Sequence, residues 1–183
     1  MRATHRLIVM LLSTTIVACS SVQVATDYDP DANLSSYETY SWLPRPVEPT
    51  GDVRADNPLV HARVRDAVDE ALKAKGYERL LEGRPDFYIG YHLSLTTKLD
   101  ASRMNNYYGY GARHRPGMGT SQTVIREYEV GVLVLDIVDA DLDRLVWRST
   151  GRKVVQETPP TPEESRQRIL DAVAQILEPF PPQ

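Results

Sequence analysis

The run DFYIGYHLSLTT, Asp86 to Thr97, constrains this chain more than any other stretch. Phe87, Ile89, Tyr91, Leu93 and Leu95 alternate with Tyr88, His92, Ser94 and Thr96. Successive side chains of a strand point to opposite faces, so a period of two predicts a strand with one face buried. Thr123 to Asp139 is a second long strand, and Leu133 to Val138 within it is apolar on both faces, as a central strand requires. Asp141 to Arg144 turns the chain into a partner strand, Leu145 to Val155, which completes a hairpin. Leu145, Trp147 and Ser149 are expected on one face of it, with Trp147 in the core.

Two helices accompany these strands. Asn57-Pro58 supplies an N-cap followed by proline at the first helical position. Val60, Val64, Ala67, Val68, Ala71 and Leu72 then recur at three and four residues until Gly76 stops the helix. Thr161-Pro162-Glu163-Glu164 reads as a capping box, and Ile169, Leu170, Val173, Ile176 and Leu177 give the second helix one apolar face, ended by Pro179. Shorter strands are expected at Val22–Tyr28 and Tyr40–Leu43. A Pro-rich loop (44–56) and a long Gly/Tyr-rich loop (98–121) separate the elements. Helices with single apolar faces beside runs of strands predict an α+β two-layer sandwich: a mainly antiparallel sheet of about five strands with two helices on one face.

The start of the chain carries an address. Arg2, His5 and Arg6 precede the apolar run Leu7 to Val17 and small Ala18, the pattern of a secretory signal peptide. Ile16-Val17-Ala18-Cys19 resembles the bacterial lipobox, which implies cleavage before Cys19 and lipidation of its thiol and new amino terminus. Acyl chains at that point exceed the two-signal threshold for stable anchoring. The expected division is therefore a signal peptide at 1–18 and a single α+β domain at 19–183. Ser20, where sorting rules would place aspartate for inner-membrane retention, implies the outer membrane facing the periplasm. Loss of Arg2 and Arg6 from 21 basic residues, against 25 acidic ones, takes the net charge from −4 to −6. That balance argues against nucleic acid as a partner. Cys19 is the only cysteine, so no disulfide forms and stability rests on a packed core, for which 42% hydrophobic content suffices.

The chain also resembles a known family. Val24-Ala25-Thr26-Asp27-Tyr28-Asp29-Pro30, Tyr37 to Trp42, Val132 to Asp139 with Leu145-Val146-Trp147-Arg148, and the ending Phe180-Pro181-Pro182 are similar to the bacterial lipoprotein family termed domain of unknown function four-one-three-six. The resemblance spans nearly the whole mature chain. One departure is conservative: where the family has glycine and threonine before the long apolar run, Gly131 is followed by Val132. The resemblance brings no activity and no catalytic residues.

The remaining candidates for chemistry are few. Asp27, Asp29, Asp31 and Glu38 have the first, third, fifth and twelfth spacing of a calcium loop, but Ala32 stands where glycine is needed. Asp139, Asp141 and Asp143 repeat the spacing in what reads as a hairpin turn. His61, His92 and His114 share no metal-binding spacing, and each reads as solvated. No nucleophile elbow marks a serine. The loop NNYYGYGARHRPGMG is the most suggestive stretch, because Tyr107, Tyr108 and Tyr110 sit beside Arg113 and Arg115. Tyrosine and arginine dominate binding hot spots. The expectation is a lipid-anchored binding or scaffolding module without enzymatic activity or cofactor, its partner an envelope protein or glycan. The alternative is an envelope hydrolase with a site under the 98–121 loop near His92.

Overall fold

The computed structural model describes residues 22–44, 49–105, 121–156 and 158–182, with side chains left aside over 100–105 and 121–125. The elements run β1 (Gln23–Tyr28), a 3-10 turn (Leu34–Ser36), β2 (Thr39–Trp42), α1 (Pro58–Ala74), β3 (Glu78–Arg79), β4 (Phe87–Asn105), β5 (Ser121–Asp139), β6 (Arg144–Val154) and α2 (Pro162–Leu177). The strands form one sheet in the order β1-β6-β5-β4-β2-β3. The α+β sandwich is as predicted, but the sheet has six strands, and β2 runs parallel to both β3 and β4. The crossover through α1 explains that direction: a strand, a helix and a returning strand on one face yield parallel pairing.

Both helix starts form as their sequences predict. The Asn57 side chain accepts from Leu59 N at 2.9 Å. The Thr161 hydroxyl accepts from Glu164 N at 3.2 Å while the Glu164 carboxylate accepts from Thr161 N at 2.9 Å. Gly76 takes φ +95° after α1, a conformation that strains any residue with a Cβ. Val64, Ala67, Val68 and Leu72 of α1 and Val173, Ile176 and Leu177 of α2 are buried against Phe87, Ile89, Leu133, Leu135, Ile137 and Trp147 of the sheet. Phe180 fills the centre. Its ring lies 5.2 Å from Trp147, 5.4 Å from Tyr77 and 5.7 Å from Phe87.

Two expectations need correction. Lys98 to Asn105 belongs to β4, and Ser121 already lies in β5, so the segment between the two strands is 106–120. Leu145 does not share the face of Trp147. A bulge places Ile137 opposite Trp147 and Val138 opposite Leu145, so one extra residue, Val146, is accommodated and the faces switch. Trp147 and Val146 are buried and Leu145 is exposed. In β1, all six residues are exposed, and Val22 just before it is buried.

Two polar knots tie strand ends and loops together near the start of β2, and they predict how stability varies with pH. The Asp86 carboxylate accepts from Glu38 N, Thr39 N and the Thr39 hydroxyl at 2.8–2.9 Å, and these bonds hold its pKa below the usual range. Burial works to raise Asp139, but the Tyr37 hydroxyl at 2.5 Å and the amides of Leu142 and Asp141 outweigh it and lower it. Tyr37 and Tyr40 shift upward through burial first and their bonds to Asp139 and Asp69 second. A carboxylate depressed on folding contributes stability above its unfolded pKa of about 4, and loses it as pH falls further. A tyrosine raised on folding contributes below its unfolded pKa of about 10, and loses it above. The expected melting temperature is therefore flat between about pH 5 and 9 and falls on both sides. Thermal melts of Asp86→Asn should show a weaker acid limb than wild type.

Candidate functional site

β4 and β5 pair along their whole length, yet their neighbours do not follow them. β2 leaves β4 at Ile89, and β6 leaves β5 at Val130. Nine pairs, Thr97↔Glu129 through Asn105↔Ser121, therefore extend past the body as a two-stranded ribbon roughly 25–30 Å long. Leu99 on this ribbon is 71% exposed. Its base is clamped. Arg54 donates two hydrogen bonds to Glu129, each 2.7 Å, and two to Asp52, so both acids are held charged. The same turn is closed by Asp56, which accepts from Thr50 N, the Thr50 hydroxyl and Gly51 N at 2.8–3.0 Å.

The candidate binding residues Tyr107, Tyr108, Tyr110, Arg113 and Arg115 fall in the segment joining the ribbon's strands and lie outside the described residues, as do His114 and Cys19. The weak calcium set is not assembled. Asp27 is in a strand, and Asp29 instead pairs with Arg144 at 2.7 Å and accepts from Asp31 N. Among the described residues no group of three metal-ligating side chains converges.

A groove of about 330 Å³ opens beside His92, lined by Trp42, Leu43, Arg65 of α1, Gly90, Asp136 and Arg148 among others. Two of its charged groups are paired with each other. Arg148 grips Asp136 with two bonds of 2.6 and 2.7 Å, and His92, exposed, has no hydrogen-bond partner among the described residues. A general base is held by an orienting partner, and among the described residues His92 has none. His61, read as solvated, is instead half-buried and its Nδ1 lies 2.8 Å from the Tyr91 hydroxyl.

Sequence reasoning missed Asp69. Its carboxylate accepts from the Tyr40 hydroxyl (2.9 Å), Trp42 Nε1 (3.0 Å) and Arg79 (2.8 Å), and Arg65 stacks 4.5 Å above Trp42. The periodicity of α1 could have flagged it, since Asp69 follows buried Val68 on the flank of the apolar stripe. These bonds orient the aromatic side chains at the groove's edge and use three of the carboxylate's roughly four acceptor sites, two on Oδ1 and one on Oδ2.

The molecule is thus a two-layer α+β sandwich domain with a projecting ribbon and no assembled catalytic set among its described residues. The chain belongs to the family described as Domain of unknown function (DUF4136), which it matches over residues 24–182. No curated protein matches it. Its fold is similar to part of a PDZ domain protein from Parabacteroides distasonis, with a TM-score of 0.54 and 10% identity over 87% of this chain. This chain spans only 35% of that protein. It is also similar to PelC from Paraburkholderia phytofirmans, solved as a dodecamer, with a TM-score of 0.50, 11% identity, and coverage of 87% of this chain and 96% of that one. At such identities the likeness is one of fold. Among the described residues no helix is long and apolar enough to cross a membrane.

Proposed function

We propose that this protein is an envelope lipoprotein, anchored through Cys19, that acts as a binding or scaffolding module by presenting residues 106–120 on the β4–β5 ribbon. The ribbon carries the reading. Isolated two-stranded ribbons are marginal in water, so nine pairs beyond the body serve reach rather than stability. The segment they present is rich in tyrosine and arginine, the residues of binding hot spots. The fold's occurrence in a PelC dodecamer supports a role in assembly over one in turnover. A hydrolase at His92 is the weaker reading, because only the groove beside it speaks for it.

Two measurements test this. Mass spectrometry of the mature amino terminus should find diacylated, N-acylated Cys19, and Cys19→Ser should release the protein from membranes; an unmodified Cys19 ends the anchor. Replacing 106–120 by a short Gly/Ser linker should leave the melting temperature within a few degrees of wild type but remove partners captured from detergent-solubilised envelopes. Capture that persists with a stable fold would place binding elsewhere.

A further inference from the structure

We infer that the outer edge of β1 pairs with β1 of a second copy of this chain, antiparallel, with Thr26 on the two-fold axis. The sheet has two ends, β3 and β1. β3 is protected as edges usually are: it is two residues long and both, Glu78 and Arg79, are charged. β1 is less protected: it is six residues long and Asp27 is its only charged one. Its six residues, QVATDY, include no proline and no lysine, and they pair with β6 without a register shift. Val24 and Tyr28 are 38% and 44% exposed, although both share a face with Thr26, whose hydroxyl reaches buried Ser149 at 2.9 Å.

The ladder fixes which backbone groups remain available. Asp29 donates its amide to Val146 O, so odd-numbered residues face β6. Val22 N points the other way, to the Gln175 side chain. Val24, Thr26 and Tyr28 therefore point their amides and carbonyls to the open edge, where no other strand lies among the described residues. A partner strand that keeps both sets of helices on one side must oppose residues of the same parity. Centring on Thr26 engages all three residues of each copy, about six hydrogen bonds. It also sets Val24 against the other copy's Tyr28 twice over, an aliphatic–aromatic cross-strand pair of the favourable kind. The partner's Tyr28 then lies next to the groove between β1 and α2, lined by Val24, Ala174, Gln175 and Pro179. The symmetry is closed, so pairing stops at two copies.

The test uses the full chain in detergent. Sedimentation should give a doubled protein mass, and Thr26→Cys should cross-link through a short bismaleimide above the background of the unsubstituted chain. Thr26→Pro removes an amide that faces the open edge, so it should weaken dimerisation at least tenfold while the melting temperature stays close to wild type. If that variant does not fold, Val24→Lys, which removes the apolar pair, takes its place and should give the same loss. A monomeric wild-type chain overturns the inference. So does a dimer that survives these substitutions and gives no cross-link at position 26.

Discussion

Replacing Trp147 by alanine is expected to cost about 3–5 kcal/mol, the range for truncating a large buried aromatic. The residue is fully buried in β6 and packs edge-on against Phe180, which in turn contacts Tyr77 and Phe87. Removing the indole takes the support from under the ring that links α2's exit to the sheet. Trp147→Phe provides the comparison. Trp147 Nε1 is buried without a hydrogen-bond partner among the described residues, so phenylalanine loses volume but also loses a group that is costly to bury unpaired. Chemical denaturation should therefore rank wild type first, phenylalanine close behind and alanine far below. An alanine variant within 1 kcal/mol of wild type would contradict this account of the core.

Gly151→Ala is expected to destabilise by about 1–3 kcal/mol, through crowding rather than a void. A Cβ there would stand 2.5 and 2.6 Å from Ile176 Cδ1 and Cγ1 and 2.9 Å from Val22 Cγ1. Ile176 is fully buried on α2 and Val22 immediately precedes β1, so the added methyl presses on both layers at once. Ile176→Ala alone should also destabilise, by leaving space. Combined, the two substitutions should cost less than the sum of their separate effects, because each fills or relieves what the other disturbs. Additive losses would show that Gly151 is required for another reason.

What the sequence made legible was local. The Thr161–Glu164 box and the Asn57 cap formed as read because each motif holds its own partners within a few residues. The alternation from Phe87 to Leu95 survived because one face of it meets α1 and α2. The rest depended on partners distant in the chain. β2's parallel direction is set by where α1 returns the chain, and four residues of strand cannot announce that. The bulge at Val146 arises from fitting β6 to β5, and LVWR alone alternates equally well in either phase. Lys98–Asn105 read as loop because polar residues interrupt the pattern, yet pairing with Ser121–Tyr128 extends it as strand. Asp69 draws its partners from positions 40, 42 and 79, a convergence invisible until the helix lies over the strands. For the candidate site, the sequence named the tyrosines and arginines of 106–120, and the structure contributed the ribbon that carries them.

The ribbon also behaves as a ruler with discrete marks. Because its side chains alternate faces, removing one residue from each strand would turn the presented segment over, whereas removing two would shorten its reach by about 7 Å and keep its orientation. Relatives whose ribbons differ in length should therefore differ in even steps wherever the tip must meet the same surface, and a graded series of such variants would measure how far from the sandwich that surface lies.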